Sequence, residues 1–124
     1  MKRFVAALVL LAFTLSLSIG AQIVFFKKTE ALIESLESLC AAVDRGEGEQ
    51  RALENTKSVW QRSKKTLHIL LVHRTMDEIE ININSLEEYL KAGDTEALRE
   101  ACTQALMQVE NLRDAGRVTI ENIF

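Results

Sequence analysis

The chain has 124 residues, 48% of them hydrophobic, with five glycines, no proline and a formal net charge of −3. Four of its 15 basic residues (Lys2, Arg3, Lys27 and Lys28) flank one apolar run, so from Thr29 onward 11 basic face 18 acidic side chains, a net of −7. A domain this acidic is repelled by phosphate backbones, which sets nucleic-acid binding aside. A proline-free mix rich in Leu, Glu, Ala, Lys and Arg favours helix throughout.

Phe4 to Phe26 is the apolar run, uncharged and ~34 Å long at ~1.5 Å per residue, enough to cross a bilayer core. Three readings stay open for it, of which a buried globular helix is the least favoured. A secretory signal is suggested by the basic start and by Ser18-Ile19-Gly20, small residues suited to cleavage before Ala21. An uncleaved anchor fits better, because apolarity resumes at Ile23-Val24-Phe25-Phe26 and stops only at the paired lysines, an aromatic belt with snorkelling amines. The positive-inside count sets the α-amino group, Lys2 and Arg3 against Lys27 and Lys28, favouring an inside N-terminus and an exported C-terminal domain. No cysteine closely follows the run, so no lipid anchor is expected.

A helix over 29–44 continues the anchor, with Leu32, Leu36, Leu39 and Val43 on one stripe. Arg45-Gly46-Glu47-Gly48 permits a reversal. The second helix, 49–72, carries Leu53, Thr56, Trp60, Ser63, Leu67 and Leu70 on one face. Its basic face (Lys57, Arg62, Lys64, Lys65) reads as a solvated face pairing with neighbouring glutamates, in preference to a docking patch for an acidic partner. Ile69-Leu70-Leu71-Val72 is apolar all round, so helices surround it or it reaches the membrane interface.

Thr75-Met76-Asp77-Glu78 fits a capping box opening a helix over 76–91, whose stripe is Met76, Ile79, Ile83, Leu86 and Leu90. Ala92-Gly93-Asp94 ends it and caps a fourth helix, 94–116, with Leu98, Cys102, Ala105, Val109 and Leu112 inward. The expected object is all-α: an N-terminal membrane helix (1–28) continuing into an up-down four-helix bundle (29–124) outside the membrane. The apolar tail Val118–Phe124 then returns towards the lipid surface.

Few residues suggest chemistry. Cys40 and Cys102 lie on or beside core stripes, as buried thiols or, in an oxidising compartment, as a disulfide joining the first and fourth helices. His68 and His73 are five apart, and no Glu-x-x-His or His-Glu-x-x-His occurs, so no metal and no cofactor is expected. His73 with Asp77 and Glu78 is a polar site across a helix break, read foremost as a histidine closing the turn. Trp60 is read as a central core residue ahead of a binding hot spot.

Trp60, Leu70-Leu71-x-His73, Asp77-Glu78-Ile79, Leu86, Gly93-Asp94 and Glu121-Asn122-Ile123-Phe124 together resemble an uncharacterised family. Its members are small single-span helical membrane proteins of Gram-positive, often endospore-forming bacteria, known only as a domain of unknown function. The resemblance implies a bacterial membrane protein in which Trp60, His73 and Asn122 matter, and it supplies no activity. The expectation is a non-enzymatic protein that packs with a protein partner or with itself, its apolar tail (Ile120, Ile123, Phe124) a contact surface. The alternative is a ligand or ion sensor with a pocket around His68, His73 and Trp60.

Overall fold

The computed structural model describes the backbone of residues 1–70 and 73–123, and the side chains of residues 1–69 and 73–116. Among them are four helices and no strand: α1 (Lys2–Arg45), α2 (Glu49–Leu70), α3 (His73–Ala92) and α4 (Thr95–Ile123). The fold is all-α, with a long apolar first helix leading into a bundle. α1 packs on α2 and α4, and α3 packs on the same two; among the described residues neither diagonal pair brings its Cα atoms within 8 Å.

The core follows the helical stripes. Leu32, Leu36, Leu39 and Val43 of α1 meet Leu53, Trp60 and Leu67 of α2, Met76, Ile79, Ile83 and Leu86 of α3, and Leu98, Cys102, Ala105 and Val109 of α4. Thr56 and Ser63 are buried on the same α2 face. The stripe on α1 begins earlier than the periodicity indicates, at Phe25 and Thr29. Around Phe25 the residues Ile23, Val24 and Phe26 are apolar too, so the inward face has little contrast to mark it.

Two reversals at one end of the bundle share a geometry. Gly46 (φ 69°) and Gly93 (φ 71°) both take the left-handed conformation that suits glycine. At the first, the Glu47 amide donates to the Ala42 carbonyl and the Gly46 amide to Val43; at the second, Asp94 donates to Tyr89 and Gly93 to Leu90. These are Schellman closures, which satisfy carbonyls that the helix ends leave free. Asp94 then caps α4, its Oδ1 accepting from the Ala97 amide at 3.1 Å.

Two boundaries differ from those the spacing predicts. Thr75 is the third residue of α3, not its cap, because the helix already begins at His73. Gly116 does not end α4, which continues to Ile123. A glycine in a helical sequence marks either a stop or a close approach, and this one is an approach: a Cβ on Gly116 meets Phe25 Cε1 at 2.6 Å.

α1 and α4 run antiparallel in a fixed register. Phe25 lies over Gly116, Glu30 pairs with Arg113 and Asp44 with Arg99. In each pair the residue numbers total 141 to 143, so Ile123 falls level with residues 18–20. The Thr56–Ser35 contact likewise places Ile69 level with Gln22.

Candidate functional site

Every seam between neighbouring helices carries a polar pin. Between α1 and α2 it is buried: Thr56 Oγ1 lies 3.2 Å from the Ser35 carbonyl and 3.1 Å from Ala52 O, one hydroxyl shared between two acceptors. Between α2 and α3 it is ionic, with Lys57 Nζ to Glu87 and Lys64 Nζ to Glu80, both at 2.7 Å. Asn82 Nδ2 donates to Gln108 Oε1 at 2.6 Å across α3 and α4. Arg113 Nη1 reaches Glu30 at 2.7 Å across α4 and α1.

These pins account for much of the basic face of α2, since Lys57 and Lys64 are turned onto glutamates of α3. Lys57, and then Lys91 on its own helix, hold the Glu87 carboxyl below the usual carboxylate range. Glu30 holds the Arg113 guanidinium above its ordinary value. Neither contact is visible in periodicity, which gives a face but not the partner across it.

Trp60 sits in the core at 1% exposure. Its indole Nε1–H has no acceptor among the described residues. His68 and His73 lie elsewhere, both exposed at the α2–α3 end with ring centroids 4.7 Å apart. Eight residues of helix, ~12 Å, separate the buried Trp60 from the exposed His68. Glu78 turns to Arg74 at 3.4 Å rather than to His73. Asp77 is exposed one turn into α3. The side chain of Asn122, the apolar run Leu70–Val72 and the expected contact surface Val118–Phe124 lie outside the residues whose side chains are described. Among those described, no three His, Cys, Asp or Glu groups converge as a metal site.

Cys40 and Cys102 are brought together. The register of α1 against α4 sets them level, Cys102 fully buried and Cys40 half-buried, and both thiols are free. A hydrogen bond from Cys102 lowers the Cys40 thiol; the same bond and burial push Cys102 far up. Chemically this is a thiol pair poised for joining, with one member reachable from solvent.

Among the described residues, few large apolar side chains of the bundle beyond the apolar run are exposed. Ile81 (63%), Tyr89 and Met107 (55%) lie on α3 and α4, and Ile69 stands at the end of α2. The described surface depressions are shallow. One is lined by Asn55, Lys57, Ser58, Gln61 and Arg62 of α2, the other by residues of the first turns of α4.

One family matches, with the description "Domain of unknown function (DUF4363)", over residues 23–123. The match spans the bundle and leaves most of the apolar run outside it. No curated protein and no solved structure matches.

Proposed function

We propose that this chain, which belongs to the DUF4363 family of unknown function, is a single-span membrane protein, its N-terminus inside and its bundle outside. It works by protein contact and not by catalysis. The observation that carries this reading is α1: one unbroken helix of 44 residues, exposed as far as Gly20 and packed as a bundle stave beyond it. The exposed half suits lipid. Two of its polar side chains bond within the helix, Thr14 Oγ1 donating to Leu10 O and Ser16 Oγ to Ala12 O, both at 2.8 Å. With no linker, the bundle stands upright on the membrane.

The contact face is the side of α3 and α4 that presents Ile81, Tyr89 and Met107. The seam pairs Lys57–Glu87, Lys64–Glu80, Asn82–Gln108 and Glu30–Arg113 are committed to one another, which supports interaction ahead of chemistry. A photo-crosslinking residue at position 81 or 107 in intact cells tests it. Discrete adducts from these positions, and none from a control at Glu54, are expected; an adduct of twice the chain mass identifies self-association. Equal labelling from all three rejects the face. Membrane-impermeant maleimide reacting with Cys40 in intact cells tests the orientation.

Sensing of a small ligand is the second reading, and the unpaired Trp60 indole N–H is the observation that favours it. A panel of metals and metabolites that leaves both Trp60 fluorescence and the melting temperature unchanged counts against it.

A further inference from the structure

The unpartnered part of α1 is shorter than the membrane it is proposed to cross. Phe4 to Gly20 spans ~25 Å at ~1.5 Å per residue, against a hydrocarbon core of ~30 Å. The apolar run makes up the difference only by continuing about one turn further, to Ile23. Yet from Ala21 onward α1 already belongs to the bundle, and Phe25 is buried beneath α4 at Gly116. A chain that matches the bilayer thickness therefore draws the foot of its own bundle into the lipid.

The register identifies what is drawn in. Ile69 falls level with Gln22, and Ile123 with residues 18–20, so the last turns of α2 and α4 lie beside the upper part of the apolar run. Ile69 is 83% exposed at that level, a large cost for an isoleucine facing water, and Ile23 of α1 is exposed at the same height. The opposite end is unlike it: Asp44, Glu47, Glu49, Asp94 and Glu96 surround the two glycine reversals. That pole is repelled by anionic head groups.

We propose that the foot of the bundle, where Ile69 ends α2 beside Ile23 of α1, is a lipid-docking surface seated in the outer interface of the bilayer. The assignment rests on the membrane-anchor reading. Immersion is about one helical turn, ~5 Å, within the depth at which interfacial helix faces bury themselves. His68, His73 and Arg74, exposed at the same level, then meet head groups, the arginine by snorkelling.

Full-length protein in phosphatidylcholine–phosphatidylglycerol vesicles tests this. Trp60 is replaced by Phe, and a single tryptophan is placed by Ile69→Trp or, as the anchor reporter, Leu11→Trp. The Ile69→Trp emission is expected to be quenched by lipid bearing a nitroxide near the head group and spared by aqueous iodide, with Leu11→Trp quenched by a nitroxide deep in the acyl chain. If Leu11→Trp responds to lipid while Ile69→Trp responds to iodide alone, the anchor stands and the docking surface is overturned. Protection of Ile69→Trp from both quenchers indicates a protein contact and overturns it equally. If neither reporter responds to lipid, the anchor reading falls and takes this one with it. Where Trp60→Phe loses helicity, Ile69→Cys carrying a nitroxide in a Cys40→Ala, Cys102→Ala chain separates the same outcomes: greater access to oxygen than to a nickel chelate supports docking, and the reverse overturns it.

Discussion

Gly116 of α4 faces the ring of Phe25 on α1 so closely that a Cβ at residue 116 meets Cε1 at 2.6 Å and Cδ1 at 3.3 Å. Separations under 3 Å do not persist, so one of the two helices or the buried ring must move. Helix propensity alone favours Gly116→Ala by ~1 kcal/mol in a helix interior. Crowding a packed site costs ~1–3 kcal/mol, and the ring has little room to yield. Gly116→Ala is therefore expected to unfold at lower denaturant than the parent in mild detergent, and Phe25→Leu to restore part of the loss in the double variant. A stabilised single variant rejects the close approach.

Trp60 combines a large buried surface with an unpaired donor. The two features predict different outcomes for two substitutions. Trp60→Ala opens a cavity and costs ~3–5 kcal/mol. Trp60→Phe also leaves space, but it removes an orphan N–H whose burial costs ~1–3 kcal/mol, so its net effect is expected within about 1.5 kcal/mol of zero. Chemical denaturation followed by circular dichroism separates them. Equal losses for the two variants show that the indole N–H is satisfied, by water or by a ligand.

Thr56 pins α2 to α1 through the Ser35 carbonyl. Thr56→Val keeps the shape and deletes the donor; both carbonyls it serves lie within helices. The expected cost is ~1 kcal/mol, the net contribution of one neutral hydrogen bond. Thr56→Ala adds a cavity and is expected to cost more. If Val and Ala match the parent, the pin contributes nothing and the hydroxyl is present for other reasons.

The stripes of α2, α3 and α4 are legible in the sequence because a polar background sets off each inward residue, and Leu53, Trp60, Ile83, Leu98 and Val109 are all buried where their spacing puts them. Phe25 is not, because within an apolar run every face looks alike. Gly116 reads as a stop, since approach to another helix is a tertiary fact. The basic face of α2 is legible as a face, but its partners Glu87 and Glu80 depend on the α2–α3 register, which spacing within one helix does not fix. Cys40 and Cys102 show the same limit: their stripe positions are readable, and their common level follows only from ion pairs such as Arg113 with Glu30.

Glu87 contributes a pH dependence with a definite sign. Its carboxyl lies 2.7 Å from Lys57 Nζ and 3.4 Å from Lys91 Nζ, which hold it below its ordinary range. A carboxyl whose pKa falls on folding adds stability above its unfolded value, ~4.3 for glutamate, and loses it as pH drops through the lower folded value. Glu87→Gln is expected to be less stable than the parent at neutral pH and to converge with it in acid. Melting temperatures across an acid series check this. A constant gap between the two chains at every pH rules out the ion pair as its cause.

The thiol pair yields the last prediction. Cys102 is wholly buried and its thiol is pushed up by its bond to Cys40 and by burial, whereas Cys40 is half-buried and its thiol is lowered by the same bond. Attack on an external electrophile requires a thiolate that the reagent can reach, and of the two Cys40 is both the more acidic and the more accessible. Iodoacetamide pulses read by peptide mass spectrometry are expected to modify Cys40 first and Cys102 only in denaturant. With oxidised glutathione, the Cys40 thiolate displaces one glutathione and forms a mixed disulfide. Cys102 then attacks the Cys40 sulfur, and the second glutathione leaves as a thiol. The product is an intramolecular bond between α1 and α4, two hydrogens lighter than the starting chain, while Cys102→Ala stops at the glutathione adduct. If the parent also stops there, the two sulfurs do not meet, and the α1–α4 register that sets them level is wrong at that height.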